Sequence, residues 1–281
     1  MDRLLGIAKV FLILMLDFIG LYSTFRNPGI AIVVTGIIVL YVLFGGYLAI
    51  LKERAVGSSN LPSYERNRLE KAGAQIISDV KSATGITLAG IKLYLVPGND
   101  EMNATAYGAN CISVTGATLK NTDPVTLRAV LAHEVCHILN FDAEFNRAVF
   151  SSVTMIVISL SIMSFAAMAI IFVLFLVLSW FKSWLGFMAF RGTTRVVGSI
   201  FEAIKKGIVL VYRSLLGLVS RSAEYRSDKY ACTLGYGVQL AHFLELAEPD
   251  SQRQLSITDA IYQSHPPTPK RIARIEGYLH P

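Results

Sequence analysis

The residues with the clearest chemical potential form the segment His133-Glu134-Val135-Cys136-His137. On a helix, side chains at positions i and i+4 lie on one face, so the two histidines would present their imidazoles to a single divalent cation. Neutral histidine nitrogens bind zinc at about 2.0–2.1 Å, and the glutamate that follows the first histidine can take a proton from an attacking water. If the chain supplies no third ligand, the same residues are simply polar positions on a helix surface.

Glu224 is the candidate third ligand, within the helical segment 222–228. Three protein ligands leave the fourth position of a tetrahedral zinc open, which is typical of catalytic rather than structural sites. Asp228 follows Glu224 by four residues and therefore lies on the same helix face, where it can accept the second ring N–H of a zinc-bound histidine. Alone, this acidic pair is ordinary surface; with the histidine pair, it predicts one catalytic Zn²⁺ per chain.

The cysteines do not suggest another metal site. Cys111, Cys136 and Cys232 are an odd number and show no CxxC spacing, so the sequence predicts neither a disulfide framework nor a cysteine zinc site. A reducing compartment fits this pattern, and Cys136, between the histidines, is interpreted as a small packing residue.

The elements that must position these residues form a small α+β arrangement. The sequence predicts an amphipathic helix over residues 63–82 and a helix over residues 125–139, with Asp123 as N-cap, Pro124 in the first turn and Asn140 at the end. Between them lie three short β-rich runs, at residues 91–96, 105–107 and 112–115. A small sheet, an active-site helix and a later ligand helix predict a zincin-like metallopeptidase domain.

The composition indicates a membrane protein. Hydrophobic residues make up 53% of the chain and charged residues 16%, whereas about a quarter of a soluble domain is charged. Residues 29–51 and 149–181 carry no charge and exceed the about 20 residues that a bilayer core requires. Residues 4–22 contain Lys9 and Asp17, but no small-x-small cleavage site follows, which favours a retained hairpin over a signal peptide.

A return segment is needed because His137 and Glu224 can share a metal only on one side of the membrane. The available stretch, residues 195–220, places five residues within about a 60° sector of a helical wheel, which forms a polar stripe. These are Glu202, Lys206, Arg213, Gly217 and Ser220, and Glu224 continues the same stripe. The pattern predicts a return helix whose polar side borders a hydrated cavity, giving about four transmembrane helices; a helix lying in the interface is the alternative.

Basic residues suggest orientation and partners. One basic residue, Arg26, links the first two spans, whereas several follow residue 51, so the positive-inside tendency places the catalytic domain in the cytoplasm. Residues 182–221 carry a net charge of +6, equal to that of the whole chain. Close to membrane spans, this excess favours anionic lipid, and the absence of an interleaved aromatic–basic pattern argues against nucleic acid.

These motifs resemble those of the HtpX-like integral membrane zinc metalloproteases, a family related to the CAAX prenyl proteases. The resemblance includes the N-terminal hairpin, segments 103–108, 133–137, 224–228 and 264–268, and Arg271. It implies zinc on His133, His137 and Glu224, with Glu134 as general base.

The resemblance also implies roles outside the zinc ligands. The segment that begins at Asn103, with Ala104 and Ala106, would lie at the edge strand that binds substrate, and His265 would lie near the developing oxyanion. Two prolines after His265 would stiffen its loop, although a lone loop histidine is otherwise usually solvated. Arg271 would lie behind the metal ligands with Asp228, although an arginine on a final helix commonly just pairs with a carboxylate.

Together these observations predict a membrane-embedded zinc endopeptidase. The resemblance implies that it cleaves membrane or misfolded proteins at the cytoplasmic face, in protein quality control. By resemblance, the membrane would be a bacterial inner membrane. The alternatives are a proteolytically silent zinc-binding scaffold and a prenyl-protein protease. The predicted organisation is a transmembrane hairpin (1–52), the first part of the protease domain (53–147), a transmembrane or membrane-associated hairpin (148–220) and the second part of the protease domain (221–281).

Overall fold

The computed structural model describes residues 2–88, 90–108, 110–179, 183–247 and 266–280. In chain order, its elements are α1 (Asp2–Phe25), α2 (Pro28–Lys52), β1 (Val56–Gly57), a 3₁₀ turn (Ser58–Asn60), α3 (Ser63–Thr84), β2 (Lys92–Val96), β3 (Ala104–Gly108), β4 (Cys111–Thr115), α4 (Gly116–Asn121), α5 (Pro124–Leu139), α6 (Asp142–Ser179), α7 (Ser183–Thr233), α8 (Gly237–Ala247) and α9 (Thr268–Leu279). They divide into a sheet unit, residues 1–148 and 217–281, and a helical unit, residues 149–216.

The sheet unit contains a four-stranded sheet in the order β1-β2-β4-β3. Strands β2 and β4 are parallel, whereas β1 pairs with β2 and β3 pairs with β4 in antiparallel fashion. The β3–β4 register shifts between Ala106 and Gly108, which places Tyr107 in a bulge. Gly108 has a φ of 78°, a conformation that suits glycine. The three strands predicted from the sequence are present, and β3 lies at one edge of the sheet.

Helix α5 forms where its local signals predict. The Asp123 carboxylate accepts hydrogen bonds from the backbone N–H groups of Val125 and Thr126, and Pro124 occupies the first turn. Twelve of the sixteen residues of α5 are buried, because the helix packs against α3, α8 and the sheet. The α+β prediction is therefore confirmed, and α5 lies at the centre of the core.

Three helices within the described residues are long and apolar enough to cross a membrane: Arg3–Phe25, Pro28–Lys52 and Asp142–Val177. The turn between the first two is fixed by Asn27, whose side chain accepts a hydrogen bond from the N–H of Ile30. The predicted return segment, residues 195–220, lies within α7, and α7 is not among these three helices. Its charges keep its hydropathy low.

In the helical unit, α6 and α7 run antiparallel beside each other. The ring of Phe190 lies 6.0 Å from that of Phe172 and 4.7 Å from that of Phe175, between ring centroids. Eight residues further along α7, a Cβ added to Gly198 would lie 3.0 Å from Cε of Met168, which is earlier in α6. Residues later in α7 therefore contact residues earlier in α6, as in a helical hairpin.

Candidate active site

Helix α5 carries both histidines to one point on its surface. The Nε2 atoms of His133 and His137 lie 3.2 Å apart, as the i and i+4 positions of a helix allow. His133 and Glu134 are almost fully buried, at 6% and 8% exposure. Such burial is uncommon for groups of this kind unless they are paired or bind a metal.

Helix α7 adds the third predicted ligand to this point. Glu224 places Oε2 3.4 Å from Nε2 of His133 and Oε1 3.7 Å from Nε2 of His137. Tetrahedral zinc with bonds of about 2.1 Å separates its ligand atoms by about 3.4 Å. Two imidazoles and one carboxylate at 3.2, 3.4 and 3.7 Å from one another therefore fit a three-ligand zinc site.

Asp228 and Arg271 lie directly behind these ligands. Oδ1 of Asp228 lies 3.0 Å from Nδ1 of His133, the ring nitrogen that faces away from Glu224. The Arg271 guanidinium donates two hydrogen bonds to the Asp228 carboxylate, at 2.9 and 2.7 Å, and its Nη1 lies 3.2 Å from Oε2 of Glu224. One arginine from α9 thus holds the carboxylates of Glu224 and Asp228, which orients His133 and Glu224 together.

A second carboxylate–arginine pair, which sequence reasoning missed, supports the other histidine. Asp142, at the start of α6, places Oδ2 2.8 Å from Nδ1 of His137. The Arg226 guanidinium donates to both oxygens of Asp142, at 2.8 and 2.7 Å. Each histidine is therefore backed by an aspartate that an arginine holds in place. The position of Asp142, five residues after His137, is the one sequence signal that could have indicated it.

Burial and neighbouring charges set the proton affinities of the site. Burial lowers the pKa of His133, but contacts with Asp228 and Glu224 outweigh it and raise that pKa to about 10 in the metal-free chain. Burial would raise the pKa of Asp228, but hydrogen bonds from Arg271 and His133 bring it below its ordinary value.

Glu134 lines the same cleft as the two histidines and Glu224. Burial raises the pKa of its carboxyl, and the positive forms of His133 and His137 offset only part of that increase. A carboxylate whose pKa is raised accepts a proton more readily near neutral pH. The raised pKa and the place in the cleft suit the general base that the sequence predicts at Glu134.

The edge strand β3 forms one wall of this cleft, whose volume is about 920 Å³. Asn103, Ala104 and Ala106 all line it, as do both histidines and Glu224. The backbone N–H of Ala106 donates a hydrogen bond of 2.7 Å to Oε2 of Glu134. The segment predicted to bind substrate thus lies directly beside the candidate base.

Two other predicted residues have different outcomes. His265 lies outside the described residues, so its predicted role near the oxyanion stays a prediction. Cys136 is buried, and burial raises the pKa of its thiol to about 11, so it remains protonated. In the part of the chain that the structure describes, Cys111, Cys136 and Cys232 form no disulfide.

Comparisons with known proteins agree with this geometry. Residues 66–279, more than half of the chain, match the model of Peptidase family M48. The crystal structure of S. mikatae Ste24p is similar, with a TM-score of 0.56 and 16% sequence identity over 93% of this chain. This chain covers 61% of that structure's length, and at such identity the likeness shows the fold alone. No curated protein matches the chain.

Proposed function

The chain belongs to peptidase family M48, and on that premise we propose that it is a zinc-dependent endopeptidase of a cellular membrane. Its substrates would be membrane-protein or unfolded polypeptide segments at the cytoplasmic face. The observation that carries the proposal is the convergence of His133, His137 and Glu224 on one point, with Glu134 in the adjoining cleft.

The positions of the described residues support a role for each of them. His133, His137 and Glu224 would hold zinc, which when bound polarises the scissile carbonyl and lowers the pKa of water toward about 7. Glu134 would accept the proton of the attacking water and return it to the leaving amine. Arg271 and Asp228 would keep the ligands oriented while charge develops. His265, by family resemblance, would stabilise the oxyanion.

The shape of the cleft supports an extended polypeptide as substrate. Strand β3 is the edge of the sheet, and an extended peptide can add to such an edge through backbone hydrogen bonds. The Ala106 N–H, now bonded to Glu134, would be one donor for the substrate backbone. Recognition through the backbone depends little on side chains, which suits an enzyme that removes damaged or misfolded proteins of varied sequence.

The membrane location is proposed from three apolar helices and from charge. Helices α1, α2 and α6 are long and apolar enough to span, and the basic residues that follow α2 favour a cytoplasmic sheet unit. A bacterial inner membrane, with anionic lipid near the basic segment 182–221, fits this arrangement.

The test is hydrolysis of an unfolded protein and of membrane-protein substrates by the purified, zinc-loaded chain. Glu134→Gln should retain zinc but lose at least about a thousandfold in rate, because an amide cannot accept the proton. Glu245→Gln, an exposed position on α8, is the matched control and should cleave like the wild type.

Three outcomes would contradict the proposal. Near-normal turnover by Glu134→Gln would remove the assigned base. Stoichiometric zinc without hydrolysis by the wild type would instead favour the silent scaffold. Cleavage confined to prenylated peptides would favour a prenyl-protein protease.

A further inference from the structure

The membrane helix α2 makes direct contact with the cleft-lining strand β3. A Cβ added to Gly46 of α2 would lie 2.2 Å from the carbonyl oxygen of Tyr107 and 3.2 Å from its carbonyl carbon. Real Cβ atoms essentially never approach other atoms that closely, and a backbone carbonyl cannot swing aside as the end of a flexible side chain can. Only glycine therefore permits the observed distance between α2 and β3.

A partly buried arginine joins the same two elements. Arg147 of α6 donates from Nε to the carbonyl oxygen of Val42 in α2, at 2.9 Å, and from Nη1 to the carbonyl oxygen of Tyr107, also at 2.9 Å. A Cβ on Gly45 would lie 2.8 Å from Cδ of Arg147, so this glycine makes room for the arginine stem. One guanidinium thus bridges the membrane helix and the strand.

Residues at the end of α2 also hold the side chain of Tyr107. Its hydroxyl hydrogen-bonds to the carboxylate of Glu53, the residue that follows α2. Its ring packs with Ile50 and Cys111 in a small apolar cluster, separate from the main core. Burial and the Glu53 contact raise the pKa of Tyr107, so the phenol stays protonated and remains a donor.

Tyr107 is also well placed to affect the cleft. It is the bulged residue of β3 and directly follows Ala106, whose N–H contacts Glu134. A bulge leaves the backbone of a residue outside the regular ladder of hydrogen bonds. Contacts with α2 and Arg147 hold the backbone carbonyl of Tyr107 in its place.

We propose that Gly46 and Arg147 are positioning residues that set the place of β3 in the cleft, so that the membrane hairpin is part of the substrate-binding apparatus and not only an anchor. The inference rests on the proposed peptidase function for its kinetic consequence. Its structural core, the coupling of α2 to β3, does not depend on activity.

The decisive comparison is between two glycine substitutions on one helix. Gly46→Ala inserts a methyl group against the Tyr107 carbonyl, whereas Gly36→Ala adds the same group to an exposed position with nothing within 4 Å. We expect Gly46→Ala to keep its zinc yet lose about 100-fold in kcat/KM, since misplacing a binding element by about 1 Å has that effect. Gly36→Ala should stay within about twofold of the wild type.

Amide hydrogen exchange over residues 104–108 gives a readout independent of catalysis. Exchange there should accelerate in Gly46→Ala and remain unchanged in Gly36→Ala, because a displaced strand loses its protected hydrogen bonds. Equal exchange and equal kcat/KM in the two variants would overturn the inference. If the wild type hydrolyses nothing, the proposed function fails, but the exchange comparison still decides this coupling.

Arg147 supplies a second variant if Gly46→Ala does not fold. Arg147→Lys keeps the charge, but one ammonium lacks the fork that reaches two carbonyls. Exchange over residues 104–108 should therefore lie between the wild type and Arg147→Ala. Wild-type exchange in both arginine variants would overturn the assignment.

Discussion

Helices α5 and α6 follow one another in the chain and are both rich in apolar residues, yet the apolar side chains of the two helices lie in different surroundings. In α5, Leu131 is only 1% exposed, within the core between the sheet and α3. In α6, Phe165 is 77% exposed, and the most apolar stretch of the helix buries none of its residues. Apolar composition therefore indicates that water must be excluded, but not whether protein or lipid excludes it.

The two helices also treat polar groups differently. Helix α5 buries His133 and Glu134 because neighbouring elements supply partners for them. Helix α6 confines its charges to its first turns, which belong to the sheet unit and where Asp142 and Arg147 have partners. Each element thus places polar side chains only where the structure compensates for their desolvation.

The largest effect expected from this comparison is on stability. Leu131→Ala should lower the free energy of unfolding by about 2–5 kcal/mol, because it leaves a cavity among close-packed side chains. Leu174→Ala removes the same atoms from a residue of α6 that is 55% exposed, and should stay within about 0.5 kcal/mol of the wild type. Denaturant unfolding in one detergent measures both, and equal losses would show that α6 is packed as a protein core.

A smaller effect is expected for the aspartates behind the histidines. Asp142→Ala and Asp228→Ala should each weaken zinc binding by about 10- to 100-fold, as loss of a partner to a metal-bound histidine typically does. Glu224→Ala should fail to retain stoichiometric zinc. Competition with a chromophoric chelator measures these affinities.

The matched control for that series is Asp100→Ala, which removes an exposed carboxylate from the same cleft. If Asp142→Ala binds zinc as this control does, the contact between Asp142 and His137 contributes nothing to the site. Full zinc occupancy in Glu224→Ala would mean that the third ligand lies elsewhere.

The smallest effects are expected from single cysteine substitutions, which test on which side of the membrane each segment lies. Cysteines placed at the exposed Lys81 and Lys270 should react with an impermeant thiol reagent from one side of the membrane, and a cysteine at Gly186 from the other. Labelling of Gly186→Cys from the same side would mean that α6 and α7 do not cross. Labelling of the two lysine positions from opposite sides would make a shared zinc site impossible.

Local signals explain what the sequence could predict. Asp123, Pro124 and Asn140 define α5 through hydrogen bonds and dihedral preferences that act within a few residues. The spacing of His133 and His137 follows from helix geometry alone, and Glu224 and Asp228 share a face for the same reason.

Contacts between distant segments explain what the sequence could not predict. Arg226 was missed because its role depends on Asp142, 84 residues earlier in the chain. The contacts of Gly46 and Arg147 with Tyr107 were missed because they depend on the packing of α2, β3 and α6. Nothing near Gly46 or Arg147 in the sequence indicates that packing. The two-residue strand β1 is too short for any periodicity to reveal.

Asp142 and Arg226 are 84 residues apart in the chain, and their ion pair holds together the two ends of the segment that contains the helical unit. Because this segment is formed by helices α6 and α7, each residue added to either helix lengthens it by about 1.5 Å. Its length can therefore change to match bilayers of different thickness, while Asp142 and Arg226 keep their places beside His137.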